Sequence, residues 1–211
     1  MKKGFMVVFD GSNGAGKTTV INEVEKYLSA KGLDVVLTRE PGGTPIGEKI
    51  REVILDPSTP EMCDLTELML FGAGRAQHLE QKIKPALAAG KIVISDRFDA
   101  ATFSFQHYAR GIALDTIVKI NDLALDGFRP DINIILDLDP LAGLERVKKR
   151  GQALDRLEDE KLDFLTKARN GYLIQAKNHP EKFAIIDASQ SKEQVLSDVL
   201  TVIDTLLAQQ Q

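Results

Sequence analysis

The chain is predicted to be an α/β protein, a five-stranded parallel sheet with helices on both faces. Three observations carry that prediction. Short apolar runs recur at 5–9 (FMVVF), 35–38 (VVLT), 91–95 (KIVIS), 132–138 (INIILDL) and 183–187 (FAIID). Segments with helical patterning lie between them, an alternation that favours parallel strands joined by right-handed crossovers. No stretch is rich enough in Pro, Gly or Ser to divide the 211 residues, so a single domain, 1–211, is expected. In such a sheet ligands sit beyond the carboxyl ends of the strands, so the residues just after each run are the informative ones.

The first run is apolar throughout, as a strand buried on both faces should be. It leads into GSNGAGKTT (11–19), which matches G-x-x-x-x-G-K-[ST] from Gly11 to Thr18. Beyond it, Val20, Ile21, Val24, Tyr27 and Leu28 mark one face of a helix reaching about Ala30. Glycine lets backbone N–H groups turn inward without a clashing Cβ, and the helix N-terminus adds positive potential. The loop is therefore a nest for phosphate oxygens. Gly11, Ser12, Asn13, Gly14, Ala15, Gly16, Lys17, Thr18 and Thr19 are assigned to a nucleoside triphosphate. Lys17 reaches the outer phosphates and the Thr18 hydroxyl ligates Mg²⁺ in this reading.

The second run ends in TREPGGT (38–44), which turns at Pro41, Gly42 and Gly43 and is flanked by Arg39, Glu40 and Arg51. Taken alone it is explained as well by a plain turn with solvated charges. Residues 64–88 read as one helix ending near Gly90 and carrying Phe71, Arg75 and Gln77. The spacing of Phe71 suits a core position and a base-stacking position equally. The third run ends in SDRF (95–98), where Asp96 is placed to orient Mg²⁺ or its waters and Arg97 to grip a phosphate with its planar fork. An ion pair at the sheet edge is the alternative. After the fourth run comes DPLAGLERVKKRGQALDR (139–156), whose 148–157 portion reads as a flap with Gly151 as a hinge.

Composition narrows the class. Charged residues make up 27% and hydrophobic residues 43%, as in an ordinary soluble protein. A net charge of −4 gives no general attraction to nucleic acid. Cys63 is the only cysteine, so no internal disulfide is possible, which fits a reducing compartment. The N-terminus enters the first strand directly, and no run is apolar enough to span a bilayer. A cytoplasmic location and no membrane partner are expected.

Two phosphate-bearing ligands sharing one crevice need many cations. Lys17, Arg51, Arg97, Lys149, Arg150 and Arg156 are the candidates, with Mg²⁺. A P-loop switch that only binds and slowly hydrolyses nucleotide is the competing class, and it has no need of a second anionic site.

In these segments the chain resembles the thymidylate kinases over essentially its whole length. The segments are GSNGAGKTT, TREPGGT, DRF followed by SFQ, FRPD (128–131) and GLERVKKRGQALDRLE (143–158). The pair TREPGGT and DRF, in that order, is the most specific. The resemblance implies a P-loop nucleoside monophosphate kinase fold with a short lid. It also implies transfer of the γ-phosphoryl group of ATP to dTMP with Mg²⁺, usually by a homodimer. It places Phe71 on the thymine, Arg75 on the base edge and Gln106 over the nucleotide. Arg39, Arg51 and Arg97 join them at the acceptor, and Asp96 lies near the metal. Gly14 stands where some relatives have a catalytic arginine; relatives without it use lid arginines, here Arg150 and Arg156, with Arg150 the catalytic choice and Arg156 on ATP. Three positions depart from the family pattern. Asn13 replaces a carboxylate near the sugar 3′-hydroxyl, Ala101 a serine, and Phe105 a tyrosine near the sugar. They bear on how strictly thymine and the 2′-deoxy sugar are selected.

Overall fold

The computed structural model of the protein describes residues 4–149, 156–157 and 160–209. Strands β1 (Met6–Gly11), β2 (Val35–Arg39), β3 (Ile92–Asp96), β4 (Ile132–Asp137) and β5 (Phe183–Asp187) form one parallel sheet in the order β2-β3-β1-β4-β5. β1 is central, with Val7 opposite both Ile94 and Ile132. Every residue of β1 is buried, which is why this run reads as continuously apolar until Asp10. From β1 the chain travels out to β2, returns to β3 beside β1, then crosses to β4 and β5. That reversal leaves a crevice beyond the carboxyl ends of β1, β3 and β4.

Alternate residues of β1 serve opposite faces of the sheet. Phe5, Val7 and Phe9 pack with Ile94, Ile134 and Leu136 beneath α1 (Lys17–Ala30) and α9 (Lys192–Gln209). These helices contribute Val20, Ile21, Val24 and Leu28, and Val195, Val199, Ile203 and Leu206. On the other face Met6, Val8 and Val93 meet Leu79, Ile83 and Phe98, with Leu125 from α6 (Leu114–Leu125). A smaller patch joins Ile135 to Ala100 of α5 (Asp99–Thr102) and Tyr172 of α8 (Leu162–Asn178). Each buried aliphatic or aromatic side chain contributes roughly 1.5–3 kcal/mol on leaving water, and this core fixes the strand ends that carry the site.

The expected helix over 64–88 is α3 (Asp64–His78), a wider i→i+5 turn over Leu79–Ile83, and α4 (Lys84–Ala88). Pro85 explains the widening: it has no N–H for the carbonyl of Gln81, and its ring would strike that carbonyl in a regular helix. A second wide turn, Phe103–Ala109, follows α5 and carries Phe105 and Gln106 to the crevice. Two further helices frame the site. α2 (Pro45–Leu55) is capped by Thr44, whose Oγ1 accepts from Gly47 N at 3.0 Å. α7 (Pro140–Lys148) is capped by Asp139, which accepts from Leu141 N and Ala142 N. No helix among the described residues is long and apolar enough to cross a membrane. Arg150 and the proposed hinge Gly151 lie outside the described residues.

Candidate active site

The phosphate loop is built from backbone. At Gly14, φ is +78°, and a Cβ there would lie 2.3 Å from Gly143 O of α7. An arginine therefore cannot replace Gly14 while α7 packs this closely. Gly16 has φ +92° and open space where a Cβ would project. It precedes α1, whose first turn has no side-chain cap. The leading N–H groups of that helix are thus left for an anion. Lys17 is largely buried and donates from Nζ to Gly11 O at 3.4 Å and Ser12 O at 3.3 Å. Gly11, Ser12 and Ala15 form the underside: Ser12 Oγ donates to Leu138 O at 3.1 Å, and Ala15 joins the core.

A cleft of about 600 Å³ opens from this loop. Asn13, Gly14, Gly16, Lys17, Thr18 and Thr19 line one end. Arg39, Arg51, Phe71, Arg75, Asp96, Arg97 and Gln106 line the rest. The TREPGGT segment is more than a solvated turn. Glu40 is only 6% exposed. Its Oε2 accepts from Arg75 Nε at 2.9 Å, and its Oε1 lies 3.1 Å from His78 Nδ1. The Glu40–Pro41 peptide bond is cis. Pro41 O accepts from Arg51 Nη1 at 2.9 Å, and that arginine lines the cleft. Arg39, more exposed, donates to Glu48 Oε2 at 2.7 Å.

Phe71 is half-buried, lines the cleft and belongs to none of the apolar clusters. Arg75, one helical turn on, is almost wholly buried. Besides Glu40 it donates to Asn121 Oδ1 at 2.5 Å and Phe98 O at 3.1 Å. Its guanidinium lies over the Phe98 ring, 5.5 Å from centroid to Cζ.

At the end of β3, Asp96 and Arg97 both line the cleft. Arg97 has φ +70°, and its Nη2 donates to Asn13 Oδ1 at 2.7 Å. Asp10, at the end of β1, is fully buried nearby. Burial pushes its carboxyl up to about 7, against the pull of Arg97, Tyr172 and Lys17. Among the described residues no group of three or more His, Cys, Asp or Glu gathers to hold a metal ion. Thr18 and Asp96 at the cleft instead suit Mg²⁺, which takes one or two protein oxygens and completes its shell with phosphate and water.

Glu67 of α3 escaped the sequence reading. Its side chain is 1% exposed and accepts from Gln106 Nε2 at 2.8 Å and from Arg110 at 2.8 and 3.0 Å. Burial alone would raise the Glu67 carboxyl, but the bonds from Arg110, Gln106 and Arg156 outweigh it and hold the group below the usual range. Arg156, expected at ATP, pairs with this same Glu67 and donates from Nε to Ile54 O at 2.8 Å. In this conformation the hydrogen bonds of Arg156 go to α2 and α3. Arg146 of α7 was also missed; its Nη1 reaches Gly14 O and Ala188 O, both at 3.4 Å.

A phosphate loop facing a second cationic pocket, at the reversal of a five-stranded parallel sheet, defines a P-loop nucleoside monophosphate kinase, and hence a phosphotransferase. Residues 9–199 match the family model for thymidylate kinase. The chain is 46% identical over 202 residues to the thymidylate kinase of Geobacillus sp. (strain WCH70), covering 95% of this chain and 96% of that one. It is 44% identical to that of Hahella chejuensis, over 99% and 100% of the two chains. The crystal structure of thymidylate kinase from Ehrlichia chaffeensis superposes with a TM-score of 0.77 at 32% identity, covering 96% of this chain and 99% of that one. The protein belongs to the thymidylate kinase family.

Proposed function

We propose that the protein transfers the γ-phosphoryl group of ATP to dTMP, forming dTDP, in a single kinase domain. The observation that carries this reading is Phe71: a half-buried ring on the wall of the phosphate cleft, outside every apolar cluster, with Arg75 locked one helical turn away. A ring so placed offers a face to a base. Arginine only donates, so Arg75 favours an acceptor at position 4 of the base, which a 4-oxo group supplies and a 4-amino group does not. Arg51 and Arg97 then hold the acceptor phosphate, and Arg39 stands at the mouth. Lys17 and the first turn of α1 hold the donor phosphates. Thr18 and Asp96 would hold Mg²⁺, which would supply charge neutralisation to the transferring group. Gln106, anchored on Glu67, closes the wall over the nucleoside. Arg150 remains the proposed lid arginine.

Uracil carries the same 4-oxo group, so dUMP is the competing acceptor. A coupled assay of ADP release across the nucleoside monophosphates separates the two. dTMP is expected to turn over fastest. Equal or faster turnover of dUMP, UMP or AMP overturns the thymidylate assignment and leaves the kinase standing. A homodimer is proposed with it, supported by exposed apolar pairs on adjoining helices, Leu65 and Met69 on α3 and Leu114 and Val118 on α6. A monomer by light scattering at micromolar concentration would refute that part.

A further inference from the structure

Tyr172 and Asp10 stand behind the cleft wall and are used by no step above. Tyr172, on α8, is 1% exposed, and Asp10 is fully buried. Asp10 Oδ1 accepts a hydrogen bond from Tyr172 Oη at 2.8 Å. Tyr172 Oη accepts in turn from Arg97 Nη1 at 3.0 Å. Asp10 Oδ1 itself lies 3.9 Å from Arg97 Nη1, an ion-pair contact that is too long for a hydrogen bond. The ring of Phe105 lies under the guanidinium, 5.0 Å from centroid to Cζ.

The backbone of Arg97 is held as firmly as its side chain. A φ of +70° is strained for a residue with a Cβ. Ser95 Oγ donates to Arg97 O at 2.7 Å, and Arg97 N donates to Phe9 O at 2.8 Å. Asn13 and Tyr172 take one N–H from each terminal nitrogen. The remaining N–H groups of the fork have no hydrogen-bond partner among the described residues, and the fork lines the cleft.

We propose that Tyr172 and Asp10 are positioning residues for phosphoryl transfer: through the chain Arg97–Tyr172–Asp10 they aim the Arg97 fork at the acceptor phosphate. This rests on the reading of Arg97 as an acceptor-phosphate ligand. The reasoning concerns charge as much as geometry. Asp96 is the residue next to Arg97, and a fork that closed onto its carboxylate would consume the cation before substrate arrives. A hydrogen-bonded pair with Asp10 would turn the fork away from the cleft in the same way. The phenol is a neutral spacer, its proton held firmly by burial and by Asp10. It sets the carboxyl one step back, so that Asp10 orients the arginine through the phenol and from ion-pair distance while the outer edge of the fork still faces the cleft. An arginine fixed beforehand also loses less rotamer entropy when the acceptor binds.

A double-mutant cycle tests this. The acceptor is whichever nucleoside monophosphate the wild type turns over fastest; if that is not dTMP, the substrate assignment fails while the cycle still decides the network. Tyr172→Phe removes only the hydroxyl. It is expected to lower kcat about tenfold, with KM for ATP within about twofold of wild type. In an Arg97→Lys background the same change is expected to alter kcat by less than about twofold, because the fork it aims is gone. A Tyr172→Phe enzyme with wild-type kcat overturns the proposal. So does an equal fall in both backgrounds, which would mean Tyr172 acts on packing alone. Should Tyr172→Phe fail to fold, Asp10→Val breaks the chain at its far end and carries the same expectation and the same refutation.

Discussion

In the proposed reading, a donor end and an acceptor end of the cleft recognise phosphate by different means. The donor end is backbone: a loop poor in side chains, an uncapped helix start, and one lysine folded over its own loop carbonyls. The acceptor end is a wall of side chains paired before any ligand arrives. Arg75 sits on Glu40 and Asn121, Arg97 on Tyr172 and Asn13, and Gln106 on Glu67. Backbone amides present the same donors whatever base the phosphates carry. A rigid, buried array of side chains discriminates, because a ligand that fails to match leaves desolvated polar groups unpaired. The contrast implies that generic triphosphate binding and specific acceptor binding were built with different materials, and that they should fail differently.

The largest expected effect is at the donor end. Lys17→Ala should lower kcat about a thousandfold or more, near 4 kcal/mol of transition-state stabilisation, with the far-UV circular dichroism spectrum unchanged. Its Nζ donates to carbonyls of its own loop at 3.3 and 3.4 Å, long bonds that the fold can lose. At the acceptor end the penalty should fall on stability instead. Glu67→Ala strands the Arg110 and Gln106 that it holds and should cost about 3–5 kcal/mol by chemical denaturation. The pH dependence has a definite sign. The Glu67 carboxyl is held below its unfolded value, so its stabilisation is complete above about pH 4.5 and is lost as pH falls through the folded pKa. The stability gap between wild type and Glu67→Ala should narrow with acidification. A gap that is constant or widens would place the Glu67 contribution in packing rather than charge.

The same contrast decides what could be read from the sequence. The donor loop is contiguous, and its chemistry needs residues at fixed short spacing, so GSNGAGKTT exposes it. The five strands and the helix that follows the loop were legible because each is a local pattern. The acceptor wall is not local. Glu67 meets Gln106 and Arg110 at separations of 39 and 43 residues, and Asp10 meets Tyr172 across 162. Nothing in the neighbourhood of Glu67 distinguishes it from a solvated helix acid. The resemblance points to Arg75 and the SDRF run to Arg97, both of which line the cleft, but neither points to the buried partners that hold them. Phe71 shows the limit from the other side: its spacing fits core and cleft alike, and only the packing around it distinguishes them.

Phe71→Ala tests that distinction at a smaller scale. Calorimetry should find dTMP binding weaker by about 1–3 kcal/mol, the usual worth of a base stacked on a ring. Because Phe71 lies outside the apolar clusters, Tm should change little. A stability loss of about 3–5 kcal/mol with dTMP affinity unchanged would return the residue to the core and remove the strongest sign of a base at this end.

The smallest effect is expected where the acceptor wall meets solvent. Arg39 lines the cleft, yet its side chain is 49% exposed and its ion pair with Glu48, at 2.7 Å, is open to water and salt. Exposed pairs of this kind contribute about 0.2–1 kcal/mol. Glu48 has another role, since its Oε1 accepts from Gly43 N at 2.8 Å and steadies the turn without help from Arg39. Arg39→Ala should therefore leave stability within about 1 kcal/mol of wild type and raise KM for dTMP by no more than about threefold. Repeating the assay at higher ionic strength should erase even that difference, because a solvated charge acts at a distance that salt screens. A tenfold rise in KM that survives salt would mean the acceptor phosphate is gripped by an exposed arginine as firmly as by the buried ones. Recognition at this end would then depend on where a charge points and not on how rigidly its partners hold it.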